Sequence, residues 1–260
     1  FRYIQVEGAV REGEPNPQGL PVLKKLSSCF VYNSAREVSS FECSNELFTK
    51  THRLIERAER SNMQAVLTDC PHREKLGWLE QDHLCGPSLL YNYDMTRFAP
   101  KVIRDITDTQ KSDGMVPTTA PQYVSFGNLF DDSPEWGSTL IIMPFMYYEQ
   151  YGDSTLITAT NGAMSRYVDY LTSRADSGIV SHGLGDWYDY GPWRAGFSKN
   201  TPVPLVATAH YIFDLQLMTR AARMTGNTAD ADKYSKLLAY ATDAFNSRFF
   251  KADSCTYGTG

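Results

Sequence analysis

The sequence has little that would organise a metal or a disulfide. Its five cysteines (Cys29, Cys43, Cys70, Cys85 and Cys255) stand far apart with no CxxC pair, and its five histidines form no HExxH. The common structural zinc patterns are thereby excluded, and no metal or organic cofactor is expected. An odd, unpatterned cysteine count sets no disulfide framework and so fixes no redox compartment. Long apolar stretches are missing too: the longest, residues 140–148, is too short to span a bilayer. Lysine and arginine, 25 in all against 30 acids, are scattered and leave a net charge of −5. No basic patch marks a nucleic-acid partner, and neither a nucleic acid nor a membrane is expected to be one. No signal peptide is present, and the opening Phe1-Arg-Tyr-Ile reads as mid-domain sequence that says nothing about targeting.

Aromatic residues, by contrast, are plentiful. There are 4 Trp, 16 Tyr and 13 Phe, and many fall in loop-like rather than periodic sequence. Flat rings on loops suit a sugar, whose C–H faces stack on apolar surface while its hydroxyls seek polar partners. The same rings also fit tyrosine-rich helical packing.

The first forty residues carry short β-rich runs, Tyr3 to Val6, Leu23 and Phe30 to Tyr32, broken by glycine and proline. They are too few for a domain, and residues 1–43 read as the trailing edge and linker of a β-domain. From Ser44 the period becomes helical. Leu47, Thr51, Leu54, Ile55 and Ala58 share one face behind the candidate caps Ser44 and Asn45. Phe98, Val102 and Ile106 repeat the pattern up to a stop at Asp113-Gly114. Ser133-Pro134 opens a helix apolar nearly all round through Tyr148, with a kink expected at Pro144. Tyr151-Gly152-Asp153 then separates it from a helix carrying Leu156, Thr160, Met164, Tyr167 and Leu171. Thr225-Gly226-Asn227 does the same between residues 207–224 and a helix carrying Tyr234, Leu238, Ala241 and Phe245. Repeated helix–turn–helix units predict an all-α toroid or solenoid over residues 44–260. Two connections, 113–132 and 176–204, are long enough to be functional. Their rings (Tyr123, Phe126, Phe130, Trp187, Tyr188, Tyr190, Trp193 and Phe197) would line a cleft if both opened on one mouth.

Residues 68–83, TDCPHREKLGWLEQDH, gather Asp69, Glu74, Glu80 and Asp82 around Arg73 and Lys75, beside Trp78. Pro71 and Gly77 make one continuous helix unfavourable. Glycoside hydrolysis needs one carboxyl protonated to donate to the leaving oxygen and a second across the sugar. A carboxyl beside an indole and other acids has its pKa raised, as a general acid requires. A solvated charged turn is the other reading of the same residues.

The segment DCPHREKLGW resembles the signature of glycoside hydrolase family 78, the bacterial α-L-rhamnosidases. FRYIQVEG at 1–8, SPEWGS at 133–138, YGD at 151–153 and GDW at 185–187 extend the resemblance in order along nearly the whole chain. It implies an (α/α)6 barrel, incomplete here, after a short segment of an adjoining β-sandwich. It implies an inverting glycosidase acting on a rhamnose-containing oligosaccharide or glycoside, with Glu74 as general acid. Asp69 resembles the aspartate that binds rhamnose hydroxyls, with Arg73 in the same cluster. Trp78, Trp136 and Trp187 fall where the family places aromatic walls, and Asp186 adjoins the last. Trp136 could equally be a core residue, Arg73 a brace for carboxylates, and Asp69 the cap of a turn.

Two departures stand out. Where the family often has aspartate, three residues after the signature tryptophan, this chain has Gln81, with Asp82 beside it. The family's general base, a glutamate on a later barrel segment, has no counterpart among these residues, so the 260 residues alone are expected to be inactive. An incomplete toroid would leave an apolar face open to self-association. The family's diet implies an extracytoplasmic location. The alternatives are a non-catalytic sugar-binding fragment, or an (α/α)6 glycosidase or lyase acting on a uronic acid.

Overall fold

The computed structural model describes residues 3–127, 130–196 and 198–258. Phe1 and Arg2 of the first motif, the loop ring Phe197 and the terminal Thr259-Gly260 lie outside them. In chain order the elements are β1 (Val10–Arg11), β2 (Val22–Leu23), α1 (Glu46–Asn62), α2 (Glu80–Leu84), α3 (Gly86–Asn92), α4 (Phe98–Thr109), α5 (Pro134–Gly137), α6 (Thr139–Tyr151), α7 (Thr155–Arg174), α8 (Val203–Met224), α9 (Thr228–Phe249), β3 (Phe250–Lys251) and β4 (Thr256–Tyr257). β1 and β2 pair in parallel and β3 and β4 antiparallel, two residues each. The β-rich Phe30-Val31-Tyr32 run forms no strand, and all three side chains are exposed.

The helical frame is built around α6, which packs against α2, α3, α4, α7 and α8. Its residues from Thr139 to Phe145 are all buried, as the uniformly apolar sequence predicts. The helix opened by Ser133-Pro134 is not continuous, however. It breaks at Ser138 into α5 and α6, while Pro144 lies within α6. At the break Ser138 donates to Asp214 on α8 at 2.7 Å. Burial pushes the Asp214 carboxyl well above its usual range, and the serine supplies part of what water would have given it.

The two predicted turns are where the sequence put them. Gly152 ends α6 at φ +68, a left-handed conformation glycine reaches without steric cost, and Gly226 does the same at φ +72. Asn227 then caps α9 by accepting from the Asp230 N–H at 3.1 Å. The resulting hairpins, α6–α7 and α8–α9, pack side by side through α7 and α8. This matches the helical-hairpin architecture that the sequence predicts. α4 ends at Thr109, four residues before the expected stop.

α1 is capped by Asn45, which accepts from the Leu47 N–H at 3.0 Å, but its apolar stripe faces outward. Leu47, Leu54 and Ile55 are exposed. Inward it presents polar groups: Tyr93 donates to Glu56 O, and Asn92 Nδ2 to the buried Glu59. Residues 33–38 are tied to the helices as well, through Asn33 N–H to Met63 O and the Glu37–Tyr93 bridge.

Gly137 sets how closely α5 approaches α7. A Cβ there would lie 2.2 Å from the hydroxyl of fully buried Tyr167. Gly137→Ala should cost about 1–3 kcal/mol by overpacking, read as a lower urea midpoint; an unchanged midpoint would show that this contact yields easily.

Candidate active site

The acidic segment folds as a closed turn. The Asp69 N–H donates to Leu76 O at 3.2 Å, and the Leu76 N–H returns to Asp69 Oδ1 at 3.3 Å. The Cys70 thiol donates to Asp69 Oδ2 at 2.8 Å, and Glu74 N–H donates to Cys70 Sγ at 3.2 Å. Lys75 sits at φ +60, a strained conformation for a residue with a side chain, and closes the turn. Asp69 thus does cap a turn, as one reading allowed, and it also lines the cleft described below. Asp69, Cys70 and Glu74 are the trio whose ligand atoms converge within 4.8 Å among the described residues, but each is already hydrogen-bonded to protein.

Beyond the turn the chain pairs with the 113–132 loop. Ala120 N–H donates to Gly77 O at 3.0 Å, Leu79 N–H to Thr118 O at 2.9 Å, and Trp78 faces Thr119 across an antiparallel bridge. A Cβ on Gly77 would lie 2.5 Å from Ala120 O, which is why only glycine fits.

These residues open onto a cleft of about 960 Å³. Of the residues singled out in the sequence, Glu74, Asp69, Arg73, Trp78, Gln81, Trp136 and Trp187 all line it. Asp186 does not: it is exposed, although its charge is felt at Glu80. Asp82 is also turned away. It is buried against a void of about 10 Å³ beside Gly86, Leu89 and Met143, so it cannot stand in for Gln81. The Gln81 amide nitrogen is buried and has no partner among the described residues.

Glu74 is held by its neighbours. Trp78 Nε1 donates to one carboxylate oxygen at 3.0 Å, and the Arg73 guanidinium pairs with the other at 3.0 Å. Around it the rings form a continuous chain. Trp136 meets Trp78 edge-on at 6.4 Å, and Phe126 stacks on Trp78 at 5.4 Å. Phe130 follows at 6.3 Å, and Trp187 meets Phe130 edge-on at 5.2 Å. Tyr188 comes last, 5.6 Å from Trp187. The rings of both long loops therefore do converge, except that Tyr123, Tyr190 and Trp193 fall outside the lining.

Sequence reasoning passed over Glu80 as a site residue, and it lines the cleft. Burial first, then the charges of Glu135 and Asp186, pushes its carboxyl up to about 7. Its place in the acidic segment, two residues after Trp78, was the available signal.

Buried carboxylates hold the loops. Asp131 accepts from Ser125 Oγ and from the Phe126 and Gly127 N–H groups, both at 3.0 Å. Asp189 accepts from Lys199 N–H at 2.6 Å, Asn200 N–H at 2.7 Å and Trp193 Nε1 at 3.2 Å. Glu135 accepts from Gly185 N–H at 3.0 Å and Ser133 Oγ at 2.5 Å, placing the loop that carries Trp187.

Burial would raise the Asp131 carboxyl, but its hydrogen bonds outweigh that and the net shift is downward. Its contribution to stability is therefore present above about pH 4, the unfolded value, and is lost as pH falls through the lowered folded value. Asp131→Ala should cost about 1–3 kcal/mol and speed amide exchange at Phe126 and Gly127. Exchange there as slow as in wild type would show that something else holds the loop.

Comparisons with known proteins show which family the chain resembles. The α-L-rhamnosidase of Streptomyces avermitilis is 28% identical over 99% of this chain and 23% of its own length. An α-L-rhamnosidase of Formosa agariphila is 29% identical over 96% of this chain and 26% of its own length. This chain thus spans about a quarter of the length of those relatives. Among solved structures, α-L-rhamnosidase from Dictyoglumus thermophilum superposes with a TM-score of 0.82 at 30% identity, over 90% of this chain and 26% of that one. The Streptomyces avermitilis enzyme complexed with L-rhamnose gives 0.77 at 28% identity, over 85% and 21%. Residues 36–260 match the model of the bacterial α-L-rhamnosidase 6 hairpin glycosidase domain, and the chain belongs to that family.

Proposed function

We propose that this chain carries the general-acid side of an inverting α-L-rhamnosidase that releases terminal α-L-rhamnose from a glycan or glycoside. The observation that supports it best is the placing of Glu74: its carboxylate is fixed at 3.0 Å by Trp78 and at 3.0 Å by Arg73, in a cleft walled by Trp78, Trp136 and Trp187. A rhamnose ring lies against the indoles through its apolar face and methyl group, while Asp69 and Gln81 take its hydroxyls. The similarity to the Streptomyces avermitilis enzyme, solved in complex with L-rhamnose, favours the same sugar here.

In this mechanism Glu74 is the proton donor to the leaving group. Its proton passes to the glycosidic oxygen as the bond to the anomeric carbon breaks. A water, activated by a glutamate outside these 260 residues, attacks that carbon from the opposite face, and the two carboxyls stand roughly 6.5–9.5 Å apart to hold it. Residues 44–260 then supply helices of the barrel, and residues 1–43 adjoin a β-domain.

The test uses the complete gene product acting on a rhamnosyl disaccharide. Glu74→Gln should lower kcat by about 10²–10⁴, the usual worth of a general acid, with KM little changed. A smaller loss is expected on 4-nitrophenyl α-L-rhamnoside, whose leaving group needs less protonation. NMR of the first product should show the β-anomer. No hydrolysis by wild type would sink the rhamnosidase reading, full activity of Glu74→Gln would sink the acid, and an α-anomer would sink inversion.

A further inference from the structure

One carboxyl in the cleft has no role in the mechanism above. Glu80 is the first residue of α2 and follows Leu79, whose backbone is fixed on both sides. The Leu79 N–H donates to Thr118 O at 2.9 Å, and its carbonyl accepts from Thr139 Oγ1 at 2.7 Å. With position 79 pinned, the backbone delivers the next side chain into the cleft beside Trp78 and Trp136.

The neighbouring carboxylates each have partners from the protein. Asp69 takes the Cys70 thiol and the Leu76 N–H, Glu74 takes Trp78 and Arg73, and Glu135 takes Ser133 and Gly185. Among the described residues none donates to Glu80 or forms an ion pair with it. A half-buried carboxyl without a partner is costly, and an arriving hydroxyl removes that cost. A sugar hydroxyl can donate to the ionised form or accept from the protonated one, and the bond to the ionised form is the stronger. A substrate carboxylate cannot donate to the ionised form, and it would add a further negative charge to a cleft that already holds Asp69, Glu74 and Glu80 against Arg73, which is paired with Glu74.

We propose that Glu80 is a specificity-determining contact of the cleft, hydrogen-bonding a hydroxyl of an uncharged sugar and disfavouring substrates that carry a carboxylate. The inference rests on the rhamnosidase reading of the same cleft. The charged and titratable groups around Glu80 are Glu135 of α5, Asp186 of the 176–204 loop, Asp69, Arg73 and Glu74 of the acidic turn, and Asp82, His83 and Cys85 of its own segment. With burial and the charges of Glu135 and Asp186 pushing the Glu80 carboxyl up to about 7, rhamnoside binding should tighten as pH rises through neutrality and the carboxyl ionises.

The experiment measures kcat and KM of the complete gene product on 4-nitrophenyl α-L-rhamnoside from pH 5.5 to 8.5, for wild type, Glu80→Ala and Glu80→Gln. Glu80→Ala should raise KM about tenfold, the worth of a hydrogen bond to a charged group, with kcat changed less than about threefold. Glu80→Gln should recover most of that binding, within about threefold of wild type, and abolish the change in KM near neutrality. If Glu80→Ala does not fold, the pH profile of Glu80→Gln decides alone. An unaltered KM in Glu80→Ala, or a pH profile in Glu80→Gln identical to wild type, overturns the proposal. These outcomes are read only on an active wild type, so they are distinct from failure of the rhamnosidase reading, which would show as no hydrolysis at all.

Discussion

Glu135, buried on α5, accepts from the Gly185 N–H and from Ser133, and the cleft's far wall depends on it. The Leu184 N–H donates to Ser133 Oγ at 2.8 Å beside it, so the loop carrying Trp187 is tied to the start of α5 at two points. The approach is tight, since a Cβ on Gly183 (φ +120) would lie 2.8 Å from Glu135 Oε2. The same device recurs at Asp69, Asp131 and Asp189, each a carboxylate accepting one or two backbone N–H groups from its own loop. A frame of helices offers no sheet edge on which to hang a binding loop. Each loop is instead closed by an internal acceptor that replaces the water its N–H groups would otherwise need.

That arrangement explains why the aromatic chain from Trp136 to Tyr188 is continuous although its rings come from separate segments. Trp78 is fixed by pairing with Thr119, Phe126 by the Asp131 clamp, and Trp187 by the Glu135 anchor. Apolar ring contacts are non-directional and would tolerate many arrangements. The directional bonds behind them select one. Strain is present in the same places, with Lys75 at φ +60 and Tyr188 at φ +70 beside the cleft, and also away from it at Ser177 and Cys255, both at φ +51.

The helices were legible because their signals are local. The caps at Asn45 and Asn227 and the glycines at 152 and 226 act within a few residues, so sequence spacing suffices to place them. The break at Ser138 was not legible, because its hydrogen-bond partner, Asp214, lies 76 residues away. The outward turn of α1's apolar stripe depends likewise on Tyr93 and Asn92, which claim its polar side. In the site, the rings and acids of DCPHREKLGW could be named from the motif. The exclusion of Asp82 and Asp186 could not, since a shift of one residue along a helix turns a side chain by about 100°, enough to carry it off the cleft, and a loop has no fixed period at all.

Glu74 and Glu80 lie six positions apart and line one cleft, yet their surroundings differ in kind. Glu74 lies on a closed turn whose own residues bring it two donors, so its geometry is set before a ligand arrives. Glu80 begins a helix of five residues, too short to offer much positive dipole to a carboxylate, and it faces the charges of Glu135 and Asp186. Burial and like charge therefore prevail over the helix end. An acid with fixed donors suits the proposed proton donor and an acid without them the proposed hydroxyl contact, and the difference follows from what each backbone can bring within reach.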